Sequence, residues 1–217
     1  MDPMVIFVYG SYALIVIMSI VLHEIAHGWM AYQCGDDTAY LMGRLSLNPL
    51  KHIDPFLTLL LPALCIWQGL PVFGGAKPVP VNPYRFRHPM RDDRLVSLAG
   101  VATNLAIAIA LSLVLRLALW TGVFHWGSAG TLVLVLSIVS NIVLCVFNLT
   151  PIPPLDGSRV LRTFLPWEAR HVFNMLDRWG LILLLLALMW PPFRVALRLV
   201  VGWVWTYVLW MPMNALS

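Results

Sequence analysis

The chain has 217 residues, of which 60% are hydrophobic and 11% are charged, and its formal net charge is +4. Soluble domains are apolar in about half of their residues and charged in about 25%, so this composition excludes an ordinary water-soluble protein. The positive charge does not indicate nucleic-acid binding, because the basic residues lie between apolar segments, where membrane orientation accounts for them. The composition predicts a multi-pass membrane protein.

Six apolar segments follow one another: Val5 to Tyr32, Phe56 to Leu70, Leu95 to Trp120, Thr131 to Leu149, Leu181 to Trp190 and Val195 to Trp210. A helix needs about 20 apolar residues to cross a bilayer, so the first, third and fourth segments are predicted spans. The last two segments can form two spans, one broken span or a hairpin. We expect one integral membrane domain over residues 1–217, with a core at 5–165 and C-terminal membrane segments at 179–212.

The first apolar segment carries ionisable residues near its end, in the stretch S-I-V-L-H-E-I-A-H-G-W-M-A. On a helix, His23 and His27 lie one turn and about 40° apart on one face, and Glu24 flanks that face. Two imidazoles at this spacing can hold one zinc ion, and the glutamate can accept a proton from water. Alternatively, these residues are hydrogen-bonded inside a helix bundle. Ionisable groups inside a membrane are costly, which favours the functional interpretation.

The basic residues predict the orientation of the segments. Seven lie between the first and third segments: Arg44, Lys51, Lys77, Arg85, Arg87, Arg91 and Arg94. Four follow the fourth segment: Arg159, Arg162, Arg170 and Arg178. The connection from Thr121 to Gly130 has none, so the positive-inside rule places it outside and the two basic regions in the cytoplasm. Both regions are cytoplasmic only if Phe56 to Leu70, which is short and contains Pro62, is re-entrant or interfacial.

A catalytic zinc site needs a third protein ligand and an open position for water. The fourth segment runs into N-L-T-P-I-P-P-L-D-G, where Asp156 places a carboxylate at the membrane face predicted for the histidines. The three prolines prevent a regular helix, and irregular backbone at a membrane must be packed in protein or line a wet cavity. Taken alone, Asp156 reads as a solvated loop residue. Its predicted location beside the histidines makes it a candidate ligand.

These motifs together resemble the site-2 protease family of intramembrane zinc metalloproteases. The stretches H-E-I-A-H, G-R-L-S-L-N-P-L-K-H-I-D-P, A-K-P-V-P-V-N-P and N-L-T-P-I-P-P-L-D-G occur in the family's order over most of the chain. The resemblance implies one Zn²⁺ per chain, with His23, His27 and Asp156 as ligands and Glu24 as the general base. It also implies a three-helix catalytic core with its active site recessed from the cytoplasmic face. Because no PDZ or CBS domain is recognised, the resemblance is to the minimal branch.

Four further residues are candidates for smaller roles. Gly100 and Asn104, in A-G-V-A-T-N-L, resemble a family Gly-x-x-x-Asn signature, although Val101 stands where many relatives have proline. Asn148 and Asn104 are candidates for an oxyanion donor or a substrate contact. Asn148 has the alternative role of bridging backbone groups freed by the prolines. His52 is a potential fourth ligand, for which a position behind the ligands or at the membrane interface is the preferred interpretation.

Substrate recognition requires an extended chain, because a membrane helix hides its peptide bonds in its own hydrogen bonds. Arg44 to Leu47 and Val72 to Val81 are short stretches that can form a small membrane-surface sheet to receive a substrate, and the resemblance supports this. The alternative is plain connecting loop. The predicted fold is therefore an all-α polytopic membrane protein, with a three-helix catalytic core, small membrane-surface β elements and additional C-terminal helices.

The predicted function is hydrolysis of peptide bonds in or next to transmembrane segments of membrane proteins. The alternatives are a metal-ion transporter, whose ligands would be distributed through the membrane, and a proteolytically silent relative that only binds membrane helices. The expected partners are transmembrane protein substrates and the lipid bilayer, without nucleic acid. The expected location is a prokaryotic cell membrane, with the active site toward the cytoplasm. The oligomeric state stays open, a homo-oligomer included.

Overall fold

The computed structural model describes residues 2–60, 67 and 75–211. The α-helices of this part are α1 (Pro3–Gln33), α2 (Thr38–Leu41), α3 (Pro89–Trp120), α4 (Ala129–Asn148), α5 (Asp156–Arg162), α6 (Trp167–Asp177), α7 (Gly180–Met189) and α8 (Pro191–Trp203). Short 3₁₀ turns cover Pro49–His52 and Pro83–Arg85, and π-helical turns cover Pro55–Leu60 and Val204–Val208. Helices therefore account for nearly all regular structure in the described chain.

Three helices are long and apolar enough to cross a membrane: α1 with 31 residues, α3 with 32 and α4 with 20. They correspond to the first, third and fourth apolar segments, so this prediction is confirmed. Their starts follow local rules. The Asp2 carboxylate accepts the N–H of Met4 and proline occupies the first turn of α1, while the Ser128 hydroxyl accepts the N–H of Thr131 at the start of α4.

Helices α1, α3 and α4 contact one another pairwise and form the bundle that holds the core. We call the end at which α1 ends, α3 begins and α4 ends the proximal end. Polar side chains link α1 to α4 inside the bundle. The hydroxyls of Tyr12 and Ser140 lie 2.8 Å apart, and the Asn141 amide donates to the Ser19 hydroxyl over 3.0 Å. Such bonds between membrane helices are worth about 0.6 to 2 kcal/mol each and fix how the helices register.

The chain leaves α1 and enters α3 at the same end of the bundle, because the N–H of Arg87 donates to the carbonyl of Cys34 over 3.0 Å. This is the arrangement that a re-entrant or interfacial Phe56 to Leu70 segment requires. Residues 61–66 and 68–70 of that segment lie outside the described residues, so its own path stays a prediction.

The C-terminal helices run from the proximal end to the opposite end. Gly180, which begins α7, packs against Pro153–Pro154, while Trp205 is fully buried among residues of α3 and α4. The Arg116 guanidinium, one turn before the end of α3, donates to the carbonyl of Leu209. Of the three predicted alternatives, these contacts favour one crossing that is broken where α8 begins. By length and composition, the possible fourth span is the pair of α6 and α7, which meet at 81° and form either a broken span or a re-entrant loop.

The predicted small β elements are not found in the described chain. Arg44 to Leu47 and residues 75–81 have no strand, and residues 72–74 lie outside the described part. The two stretches still lie side by side, because the Arg44 guanidinium donates to the carbonyl of Lys77 over 2.9 Å. Pro78 and Pro80 lack the N–H groups that a β ladder needs, so a side chain links the stretches instead of backbone pairing.

Candidate metal centre

Three side chains from two elements converge at the proximal end. His23 and His27 project from the last part of α1, and Asp156 is the first residue of α5. The two Nε2 atoms lie 3.0 Å apart, and Asp156 Oδ2 lies 3.4 Å from that of His23 and 3.3 Å from that of His27. Around a tetrahedral zinc ion with bonds of about 2.0 to 2.2 Å, neighbouring ligand atoms are about 3.3 Å apart. The triangle therefore fits three ligands of one ion.

The polar atoms of this triangle are better suited to binding a cation than to hydrogen bonding with one another. Asp156 Oδ2 is buried and accepts no hydrogen bond from the described residues. Burial alone would raise the pKa of Asp156, but the neighbouring His23 and His27 outweigh it and hold that pKa well below its usual range. The carboxylate is therefore ionised, as a metal ligand must be, and a buried anion of this kind is costly without a cation.

A hydrogen bond on the side away from the triangle orients the His27 ring. Its Nδ1 lies 2.7 Å from the carbonyl oxygen of Val96 on α3. Because a carbonyl only accepts, Nδ1 must carry the hydrogen, which leaves the lone pair on Nε2 directed at the triangle. Imidazole ligands of metals are commonly fixed by such a bond to a carbonyl. The Nδ1 of His23 has no partner among the described residues.

Gly100 on α3 provides the space that the two imidazoles occupy. A Cβ atom at this position would lie 2.4 Å from His27 Nε2 and 2.6 Å from His23 Cε1, closer than Cβ atoms approach other groups. Only glycine therefore allows α3 to pack against the histidine face of α1. The Gly-x-x-x-Asn pattern had singled out this glycine, and the contact supplies its physical reason.

A cavity of about 410 Å³ adjoins the triangle. His23 and Glu24 line it from α1, and Asn104 and Asn148 line it from α3 and α4. Its remaining wall includes residues that the sequence analysis missed, at the bend between α6 and α7: Asp177, Arg178, Leu181 and Leu184. Nothing local marks these four residues, because their role depends on the packing of Gly180 against the proline loop.

Three of the predicted minor residues differ in their surroundings. The Asn148 amide donates to the carbonyl of Leu144, one turn earlier in its own helix, over 2.9 Å, and not to a backbone group freed by the prolines. Asn104 is fully buried, and both polar atoms of its side chain lack partners in the described chain. His52 Nε2 lies 2.9 Å from the carbonyl oxygen of Ser46, and His52 is not in the group of potential ligands formed by the described residues.

Glu24 has one defined partner. Its Oε2 accepts the backbone N–H of Val79 over 2.8 Å, while its second oxygen makes no hydrogen bond within the described chain. The carboxylate is therefore held at one oxygen beside the cavity and the histidines. A group placed in this way can accept a proton from a molecule in the cavity.

Comparisons with known proteins identify relatives over most of the chain. "Putative zinc metalloprotease YwhC" of Bacillus subtilis is 36% identical over 209 residues, which cover 92% of this chain and 84% of that protein. The relative named Rip2 in Mycolicibacterium smegmatis is 37% identical over 178 residues, 81% of this chain and 65% of that protein. Rip2 of Mycobacterium tuberculosis strain H37Rv is 32% identical over 202 residues, 90% of this chain and 70% of that protein.

No protein-family model and no solved structure matches the chain. The relatives are therefore the independent evidence beside the geometry. The name of each contains the words "Putative zinc metalloprotease", and zinc binds to two imidazoles and one carboxylate of the kind that form the triangle. The chain belongs to the family of zinc metalloproteases that includes YwhC, and zinc is its cofactor.

Proposed function

We propose that this metalloprotease acts within the membrane, as a site-2 protease-like enzyme that hydrolyses peptide bonds in or next to transmembrane segments. The observation that carries the proposal is the placement of Glu24 and His23 in one cavity at the proximal end of three membrane-length helices. A soluble protease has no need to build its metal ligands into a helix that can cross a bilayer. The relatives' names support the peptidase activity, and the helices support its location.

In this reaction, His23, His27 and Asp156 would hold the zinc ion. When bound, zinc lowers the pKa of water and polarises the scissile carbonyl. Glu24 accepts the proton of the attacking water on its free carboxylate oxygen and later delivers it to the leaving amine. The hydrogen bond from Val79 to the other oxygen keeps the carboxylate oriented through both proton transfers.

Asn104 is the better placed of the two asparagines for contact with the substrate. Its amide lines the cavity, is fully buried and has no partner in the described chain, whereas the Asn148 amide already donates to Leu144. A buried amide without partners is costly unless a ligand supplies them. Asn104 would therefore bind the substrate backbone or the developing oxyanion. Asn148 lines the same cavity and has a second N–H for a weaker contact.

The substrate must unwind before its peptide bond is exposed, because a membrane helix uses its own backbone groups internally. Gly75 and Ala76 line the cavity at the start of an irregular stretch that continues to Val81. An unwound substrate lying along this stretch would reach the cavity in an extended form.

The active site is proposed to face the cytoplasm of a bacterial cell. The charged first turns of α3 and the arginines of α5 lie at the proximal end, and clusters of basic residues are retained on the cytoplasmic side. Expected partners remain the lipid bilayer and membrane-protein substrates. The transporter alternative is not favoured, because the three ligand atoms converge on one point and the relatives are named proteases.

The decisive experiment compares cells expressing the native chain with cells expressing Glu24→Gln. Glutamine keeps the shape of the side chain but cannot accept a proton, so zinc should be retained and hydrolysis should fall by about 10² to 10⁴. Enrichment of new N-termini from membrane proteins should reveal cuts within or beside transmembrane segments in native cells alone. Equal yields from both proteins, each verified to carry zinc, would contradict the proposal, and so would cuts confined to soluble proteins.

A further inference from the structure

The stretch K-P-V-P, residues 77–80, presents one backbone donor to the metal centre. Pro78 and Pro80 have no N–H, so Val79 carries the sole amide hydrogen of residues 78–80. That hydrogen is donated to Glu24 Oε2 over 2.8 Å. The position of Glu24 therefore depends on how this stretch is held.

Arg44 also holds residues 77–80, through backbone carbonyls of this stretch. Its Nη2 donates to the carbonyl of Lys77 over 2.9 Å and approaches that of Pro78 at 3.4 Å. Arg44 is only 8% exposed and pairs with no carboxylate in the described chain. Burying a guanidinium costs free energy, and the hydrogen bonds that the charged group donates here offset that cost. The carbonyl of His52 accepts the N–H of Lys77 over 2.8 Å, so Lys77 is also held through the peptide group that precedes it.

Packing against α1 brings both stretches to the catalytic helix. A Cβ atom at Gly28 would lie 2.6 Å from Leu45 Cδ2 and 2.7 Å from Val79 Cγ1. Glycine directly after His27 thus lets these two side chains rest on the backbone of α1, about one turn beyond Glu24. Arg44 is therefore linked to Val79 through the carbonyls of Lys77 and Pro78, and the neighbouring Leu45 and Val79 side chains contact one helix.

We propose that Arg44 is a positioning residue for the protease reaction: it clamps the Lys77 and Pro78 carbonyls so that the Val79 N–H holds Glu24 in register with the metal centre. Arg44 contacts neither the ligands nor the cavity and acts through the backbone of residues 77–79. The inference rests on the proposed role of Glu24. Replacement of Arg44 should therefore disturb the orientation of Glu24 and leave zinc binding intact.

The test compares Arg44→Met and Arg44→Lys in the full chain, reconstituted with zinc. Arg85→Met is the matched control. It also removes a guanidinium at the proximal end, but the partner of Arg85 is the exposed carboxylate of Asp37. Against a membrane substrate identified by the Glu24→Gln comparison, Arg44→Met should lower kcat by about 10- to 100-fold with little change in KM. Arg44→Lys, which can donate to one carbonyl, should recover part of the loss, and Arg85→Met should behave as native.

Hydrogen–deuterium exchange tests the clamp without using activity. Since neither proline has an amide hydrogen, fragments that differ by residues 78–80 report Val79 alone. Its exchange should be slow in the native protein and about tenfold or more faster in Arg44→Met, because the stretch that carries the donor N–H is no longer held in place. Exchange in fragments of α1 should be unchanged, which separates loss of the clamp from unfolding.

Unchanged Val79 exchange in Arg44→Met would overturn the clamp, and faster exchange with native kcat would overturn its role in catalysis. If Arg44→Met fails to retain zinc, Arg44→Lys decides by the same two measurements, because it keeps the charge. Absence of proteolysis by the native protein would refute the proposed function, and the exchange experiment would still decide whether the clamp exists.

Discussion

At the scale of single residues, Gly100 determines whether the metal centre can form. Replacement by alanine favours a helix by about 1 kcal/mol, so the helix itself should not suffer. The added Cβ would collide with both imidazoles, at 2.4 Å from His27 Nε2 and 2.6 Å from His23 Cε1, and should force them out of the triangle. We expect Gly100→Ala to lose most of its zinc, measured as metal per purified chain.

Gly10→Ala is the control for that measurement, because Gly10 lies in α1 and a Cβ there would meet nothing within 4 Å. It should retain one zinc per chain. Full occupancy in both proteins would show that the imidazoles do not depend on the space above Gly100. Loss in both would point to a general effect of alanine in the bundle.

Asp156 and His52 give a second prediction at this scale. Asp156→Ala removes the only carboxylate of the triangle and should lower zinc occupancy sharply, since three protein ligands are needed. His52→Ala should leave occupancy unchanged, because its ring contacts the Ser46 carbonyl and not the ligands. Both are measured by metal analysis after removal of loosely bound ions. The opposite pattern would replace Asp156 with His52 in the ligand set.

Spacing in the sequence nominates a group of candidate residues, and the structure brings three of them, His23, His27 and Asp156, together. The spacing of one helical turn singles out His23, Glu24 and His27. The proline-rich break singles out Asp156, because irregular backbone at a membrane must be packed in protein or line a wet cavity. Val79 and Arg44 could not be assigned in this way, because the first acts through its backbone and the second through two carbonyls. Contacts of this kind depend on how separate stretches fold together, and side-chain patterns do not record them.

At the scale of helices, the proximal end is held by a chain of charges. Asp93 on α3 lies 3.3 Å from Arg159 and 3.4 Å from Arg162 on α5, and Arg162 lies 3.4 Å from Asp177 on α6. The Asp93 side chain is 11% exposed, so solvent screens this network less than a surface pair. Because α5 begins with Asp156, the network ties a metal ligand to α3.

Asp93→Asn should therefore destabilise the protein by about 1 to 3 kcal/mol, since two arginines would lose their charged partner. Thermal unfolding in detergent should show the loss as a lower Tm. Asp37→Asn is the control, because its pair with Arg85 is nearly half exposed and should contribute less than about 1 kcal/mol. A Tm change in Asp93→Asn no larger than in the control would mean that the network does not support the fold.

The helices themselves were predictable to different degrees. Long apolar runs identified α1, α3 and α4, because crossing a bilayer imposes a minimum length. The bend between α6 and α7 was not foreseen, since α6 is short and polar enough to resemble a surface helix. No strand forms in the described parts of the stretches predicted as β elements, because the prolines that mark residues 77–80 as extended also remove the donors a sheet would need.

For the whole molecule, the contacts define which connections share a side of the membrane. The Arg87 N–H donates to the Cys34 carbonyl, and the Arg116 guanidinium donates to the Leu209 carbonyl at the far end of α3. The positive-inside rule predicts that the segments around residues 85–94 and 159–170 lie together in the cytoplasm. Residues 127–130 and the chain near Trp210 should lie outside.

Single cysteines at Arg87, Ser128 and Trp210, introduced after replacement of the native cysteines, test this arrangement in intact cells. A membrane-impermeant thiol reagent should label Ser128→Cys and Trp210→Cys, whereas Arg87→Cys should react only after the membrane is opened. The Trp210 side chain is 79% exposed on the protein surface, so packing within the protein would not account for poor labelling there. Protection of Trp210→Cys in intact cells would favour a hairpin over the single broken crossing. External labelling of Arg87→Cys would place the metal centre on the outer face, because Cys34 and the end of the HEIAH helix lie on the same side as Arg87.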